Sequence, residues 1–192
     1  MNCAAIVLAA GASTRLGQPK QLVEYKGEKL IERAQRIAWA SGVGQVFTVC
    51  GAEWGTLLPH LDVRGITSYN PDWREGIASS IRQGLECAEV YAPLSFSAPL
   101  DAVLMLTCDQ PSVSAEHLRD LITALGTHEI AASFYANKRG VPAAFRRSQF
   151  AALRELKGDE GARQLLLGEE VAEIPLADGD FDIDTPDDFA RL

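Results

Sequence analysis

The chain has little of what marks several common protein classes. No run of Lys or Arg occurs in its 192 residues, and 18 Lys plus Arg are outnumbered by 26 Asp plus Glu, for a formal net charge of −8. A protein that tracks a nucleic-acid backbone needs a positive field to displace condensed counterions. A nucleic-acid partner is therefore not expected. No stretch approaches the ~20 apolar residues that span a bilayer, so no membrane partner is expected either. The apolar run from Cys3 to Ala10 is short and has no basic start, unlike a secretory leader. Cysteine is scarce (Cys3, Cys50, Cys87 and Cys108) and forms no C-x-x-C pair. Buried thiols in a reducing cytoplasm are the expected reading. The three histidines, His60, His117 and His128, are scattered among polar neighbours. They are expected to be solvated and non-catalytic. Two phosphate-loop signatures are also missing. There is no G-x-G-x-x-G, and five residues rather than four separate Gly11 from Gly17, with Lys20 three residues further on. That spacing excludes a Walker A loop.

What remains is ordinary globular material, 47% hydrophobic and 23% charged. A domain of this length buries roughly 70% of its unfolded surface. Short apolar runs alternate with stretches of helical spacing. Strands are expected at Ala4–Ala9, Gln45–Cys50, Arg64–Tyr69, Ala102–Leu106, Ile130–Tyr135, Val141–Phe145 and Val171–Ile174. Helices are expected over Leu30–Ala40, Ala78–Ala88, from the cap Ser114 to about Leu125, and near Gln149–Leu156 and Ala162–Leu167. A further helix opens at Thr185-Pro186, Asn137–Gly140 reads as a hairpin turn, and Tyr91–Pro99 reads as a loop. The alternation implies one α/β domain with a mostly parallel sheet, helices on both faces and a small β-hairpin insertion. Such sheets bind ligands outside the carboxyl ends of their strands. Chemistry is therefore sought just after Ala9, Leu106 and Ile183.

The loop after the first strand holds Gly11-Ala12-Ser13-Thr14-Arg15 and runs on to Lys20. Small residues let backbone N–H groups approach an anion. Arg15 offers a guanidinium fork and Lys20 a compact charge for phosphate oxygens. Asp109, three residues past Leu106, is placed either as a turn residue or as a ligand for Mg²⁺, which takes one or two carboxylates plus waters and phosphates. Asp182 and Asp184 lie two apart and share a face if extended. Gly76, Ser79 and Ser80 open a helix, where they read a base edge or simply cap. Asn70 touches ribose or turns its loop. Arg82 reads equally as a nucleotide contact or as a solvated surface charge. Asp159 and Arg163 line an acceptor pocket or pair at i,i+4 on a helix. Trp39, Trp54 and Trp73 read mainly as packing, though Trp73 is close to the expected base pocket.

The order L-A-A-G-x-S-x-R-x-G-x-x-K, from Leu8 to Lys20, resembles the signature of the sugar-nucleotide and molybdopterin nucleotidyltransferases, the MobA-like NTP transferase family. Asn70–Ser80 resembles the N-P-x-x-x-x-G-x-x-x-S segment of its molybdenum cofactor cytidylyltransferase subgroup. Asp109-Gln110-Pro111 resembles that subgroup's D-x-P metal motif. Gly158–Arg163 and Asp182–Asp188 match its C-terminal half. The resemblance spans nearly the whole chain and implies a single Rossmann-like domain over residues 1–192. It implies that Leu8, Ala9, Ala10, Gly11, Ala12, Ser13, Asn70, Gly76, Ser79 and Ser80 contact the nucleotide. It further implies that Arg15 and Lys20 act on the triphosphate, and that Asp109 with Asp184, the Asp before Thr-Pro, or else Asp182, holds Mg²⁺. Family members that attach GMP usually carry a second Gly at the position of Ala10, so the resemblance favours CTP. Gly140, Pro142, Asp159 and Arg163 are the implied acceptor residues. Val141 stands where the subgroup usually has the His of Gly-His-Pro, which leaves the acceptor open between molybdopterin and another phosphorylated compound. Transfer from GTP, a sugar-phosphate acceptor, or a non-catalytic accessory that hands cofactor to a molybdoenzyme partner remain alternatives.

Overall fold

Seven strands form one sheet, and the first apolar run of the sequence is one of its interior strands. The computed structural model describes residues 1–13, 16–96, 98–183 and 188. β1 (Cys3–Ala9) is buried along its whole length. A two-stranded ribbon, β2 (Glu24–Tyr25) and β3 (Glu28–Lys29), leads into α1 (Leu30–Ala40). β4 (Gln45–Cys50), the short α2 (Trp54–Leu57), β5 (Ile66–Tyr69) and the long α3 (Ile77–Phe96) follow. Next come β6 (Ala102–Thr107), α4 (Ala115–Ala124), β7 (Ile130–Tyr135), β8 (Lys138–Arg146), α5 (Phe150–Arg154) and β9 (Val171–Pro175). The sheet order is β5-β4-β1-β6-β8-β7-β9. β8 runs antiparallel to both of its neighbours, and the other pairings are parallel.

The period-2 alternation of β1 explains the two-sided core. Ala5, Val7 and Ala9 face a cluster that includes α1 residues Leu30, Ile31, Ala34 and Ile37 and α4 residues Leu118 and Leu121. Ala4, Ile6 and Leu8 face a second cluster with Ile81 and Leu85 of α3 and Phe150 and Leu153 of α5. Each fully buried Leu, Ile or Phe contributes roughly 1.5–3 kcal/mol. α1 has the expected bounds. The side chain of Ser114 caps α4 by accepting from the His117 backbone N–H at 3.1 Å. All four cysteines are free and buried.

Several expectations need correction. α3 continues through Pro93, so Tyr91–Phe96 is helix rather than loop. Pro disfavours a helix interior, but tertiary packing overrides it here. Ala92 is fully buried, the Phe96 ring lies over Gly44, and Ser95 Oγ donates to Gln45 Oε1 at 3.1 Å. The β7–β8 turn is Ala136-Asn137, with φ of 46° and 57°, and Lys138–Gly140 belong to the strand. Two successive positive φ values suit a tight hairpin, whose twist matches that of its strands. The segment expected as a helix over 162–167 forms turns and a single 3₁₀ turn, Leu165–Leu167. Asp159 and Arg163 therefore share no helix face. His117 is not solvated. It is buried, with Nε2 2.7 Å from Ser133 Oγ, which itself donates to Pro142 O at 2.7 Å. Burial lowers the His117 pKa. Because the Ser133 hydroxyl proton is directed at Pro142 O, the His117 Nε2–H is the donor to Ser133 Oγ. The helix expected at Thr185-Pro186 lies outside the described residues.

Candidate active site

The carboxyl ends of β1 and β6 open into a cleft of ≈ 640 Å³. Leu8, Ala9, Ala10, Gly11 and Ala12 form one wall, and Thr107, Cys108 and Asp109 continue from β6. The loop is closed from within. Ser13 takes a positive φ of 51°, and its Oγ accepts from the Lys20 backbone N–H at 2.9 Å. Gln21, only 1% exposed, donates from Nε2 to Ala9 O and Gly11 O, both at 2.9 Å. Pinning the loop in this way leaves Lys20 inside the cleft, where its Nζ pairs with Asp109 Oδ2. Sequence reasoning passed over Gln21. The signal it offered is a single amide directly after the loop lysine.

Asp109 also anchors the C-terminal segment, since its backbone carbonyl accepts from Ile183 N at 3.0 Å. Asp182 is thereby brought alongside, with its side chain exposed. Arg15 and Asp184 lie outside the described residues. Among the described residues no group of three or more His, Cys, Asp and Glu gathers to cage a metal. The oxygen donors Asp109 and Asp182 nevertheless fit a hard divalent ion that completes its shell with water and phosphate oxygens. Cys108 borders the same cleft, but burial pushes its thiol up to about 12. A thiol held protonated in this way is a poor nucleophile at neutral pH.

A further stretch of wall is Trp73, Arg74, Gly76 and Ile77, together with Asp159. Asn70, Ser79 and Ser80 are buried behind this wall rather than in it. Asn70 Nδ2 donates to Ser79 Oγ (2.8 Å) and Ser80 Oγ (3.0 Å), and Asn70 Oδ1 accepts from Asp72 N (2.9 Å). Arg82 is likewise engaged, donating to Glu75 Oε2 at 2.6 Å and Leu156 O at 2.5 Å. Gly76 has φ 121°, and a Cβ there would lie 2.4 Å from Asp159 Oδ1 and 2.5 Å from the Gly158 carbonyl. Any side chain would thus strain the backbone and push away the 158–159 turn. Gly76→Ala is expected to cost about 2–4 kcal/mol from strain plus overpacking, measured as a lowered denaturant midpoint. An unchanged midpoint would contradict this packing.

A second cavity, ≈ 280 Å³, adjoins the first and shares Leu8, Ile77 and Asp159 with it. Its other walls include Tyr135, Gly140, Val141 and Arg163 over an apolar floor of Ile81 and Met105. Pro142 does not line it. That residue is buried, and its carbonyl is taken by Ser133. Burial raises the Tyr135 phenol pKa, and Asp182, Asp109 and Asp180 add to the effect. Tyr135 thus sits close to the acidic side of the site. The two cavities meet at Asp159, an arrangement suited to two small ligands side by side.

Comparison with known proteins identifies relatives of this fold. Residues 5–173 match the family described as the MobA-like NTP transferase domain. The chain is similar to purine catabolism protein PucB of Bacillus subtilis, 31% identical over 96% of this chain and 92% of PucB. It is also similar to a Nostoc protein named "Probable molybdenum cofactor guanylyltransferase", 30% identical over 100% of this chain and 90% of that protein. Among solved structures, Rv0371c from Mycobacterium tuberculosis superposes with a TM-score of 0.82 at 27% identity, covering 100% of this chain and 97% of that one. A further structure of Rv0371c is a complex with manganese, with a TM-score of 0.77 at 25% identity.

Proposed function

The chain belongs to the MobA-like NTP transferase family, and from that premise we propose that it transfers CMP from CTP to a small phosphorylated acceptor, molybdopterin first among the candidates. The observation that carries the reading is the Lys20–Asp109 pair, held where β1 and β6 end and facing a cleft walled by the glycine-containing loop. An acceptor phosphate oxygen attacks the α-phosphorus in line. The new O–P bond forms as the bond to the β-phosphate bridging oxygen breaks, and the electron pair leaves with pyrophosphate. A phosphate monoester is already anionic near neutral pH, so no protein base is needed. Catalysis is positioning plus charge neutralisation.

In this scheme Lys20 and Arg15 neutralise phosphate oxygens, and the backbone of Gly11–Ser13 orients them. Asp109, with Asp184 or Asp182, would hold Mg²⁺, which supplies further charge neutralisation. The manganese complex of Rv0371c supports a divalent ion in a related protein. Gly140, Val141, Asp159 and Arg163 border the cavity that would take the acceptor. Four buried free thiols suit the cytoplasm, where a molybdoenzyme is the natural recipient of the product.

Support for CTP comes from Ala10. It is 6% exposed, and its Cβ lies 2.9 Å from where a Cβ on Gly51 would stand. Its methyl thus fills the corner between the ends of β1 and β4. GTP is the second reading, favoured by the name of the Nostoc relative. The test is pyrophosphate release with each of the four NTPs against molybdopterin and sugar phosphates. CTP is expected to lead GTP in kcat/KM by about a hundredfold, equivalent to two mismatched polar contacts, and Ala10→Gly is expected to narrow that ratio. A wild-type preference for GTP would move the protein to GMP transfer.

A further inference from the structure

We infer that Trp73, backed by Arg74, is the wall on which the nucleobase stacks, an inference that rests on the nucleotide reading above. Both residues line the larger cleft, as do Ala10 and Gly11 of the first loop. Trp73 is half-buried, so part of its indole remains available. The Arg74 guanidinium lies 4.2 Å from the Trp73 ring centroid. The pair is therefore a flat, cation-backed surface, which suits the π-face of a base.

Its placement is set by three separate features. The Trp73 Cβ would be 2.7 Å from a Cβ on Gly51, and Ala10 O would be equally close. The tryptophan therefore reaches the loop only because residue 51 has no side chain. The turn that bears it is closed by Glu75 N to Asp72 O at 2.9 Å and Gly76 N to Trp73 O at 3.3 Å. Behind it, the buried Asn70 joins Asp72 N to the first turn of α3 through Ser79 and Ser80. Asn70, Ser79 and Ser80 accordingly act on the nucleotide by holding Trp73 in place. Stacking accepts any base, so this wall provides affinity, while the choice between bases is left to hydrogen-bonding groups elsewhere.

The experiment measures equilibrium binding of CTP, GTP and inorganic tripolyphosphate, with Mg²⁺, to the wild type and to Trp73→Leu and Trp73→Phe. Leu keeps apolar packing over Gly51 and removes the aromatic face. Trp73→Leu is expected to weaken CTP and GTP alike, by roughly tenfold to a hundredfold, while tripolyphosphate binds as before. Trp73→Phe should restore most of the loss, and a lost Trp73 contribution to nucleotide-induced quenching of tryptophan emission should accompany it. If Trp73→Leu binds CTP as tightly as wild type, the stacking role is overturned and the nucleotide reading stands. If it weakens tripolyphosphate equally, Trp73 serves the phosphate loop and the inference fails. If wild type binds neither CTP nor GTP, the nucleotide reading itself fails, and the inference with it.

Discussion

Asp109→Ala is expected to lower NTP-dependent pyrophosphate release by about a thousandfold or more while leaving the fold intact. The carboxylate is the described acidic group at the end of β6 inside the cleft, paired with Lys20. Removing it takes away the proposed divalent-ion ligand and the partner that places the lysine. Loss of one group that stabilises developing charge typically costs ~10²–10³ in kcat, and loss of a metal position adds to that. The fold should survive with a moderate loss of stability. The contact by which Asp109 holds the C-terminal segment is its backbone carbonyl, accepting from Ile183 N at 3.0 Å, and alanine keeps it. The Lys20 side chain, 22% exposed, can be hydrated in the variant. The pair is largely buried, so a loss of about 1–3 kcal/mol is expected, roughly 2–12 °C in Tm for a chain of this size. Full Mg²⁺-dependent turnover in Asp109→Ala would show that the metal assignment is wrong. Asp109→Asn, which keeps shape and removes charge, should be nearly as inactive.

Lys20→Ala is expected to lower kcat by about 10²–10³ and to change KM for the NTP less than about tenfold. Its backbone is fixed by the Ser13 Oγ contact at 2.9 Å and by the adjacent Gln21 clamp, so truncation of the side chain leaves the loop standing. The Nζ is proposed to act where charge grows in the transition state, and an interaction made only there appears in kcat. Lys20→Arg should recover activity only in part, because a planar fork does not replace a compact ammonium. Steady-state kinetics separate the two parameters. A pure KM effect of the same size would assign Lys20 to ground-state binding instead.

The fold was legible where burial is two-sided or spacing is regular. β1 and β6 show as apolar runs because helices cover both faces of a parallel sheet. α1 shows because its buried positions recur at helical spacing. The elements misread are those in which a distant contact outweighs local preference. Pro93 marks a break, yet Phe96 against Gly44 and buried Ala92 carry α3 past it. A run of polar residues hid the two-residue turn at Ala136-Asn137. The site was legible as a loop and an Asp after two strands, since open sheets put ligands there. Which polar residues face the cleft was not legible. Asn70, Ser79 and Ser80 satisfy one another in the interior, whereas Trp73, which reads mainly as packing close to the base pocket, borders the cleft. His117 is hidden for the same reason, because its partner Ser133 is on another element.

The central claim is transfer at the α-phosphorus, and parallel reactions with CTP labelled at the α- or the γ-phosphate test it most directly. Each would contain Mg²⁺ and molybdopterin or a sugar phosphate as acceptor. The account predicts that the α-label enters the acceptor as a CMP adduct and that the γ-label leaves as pyrophosphate. A γ-label found on the acceptor, or released as orthophosphate, would contradict it.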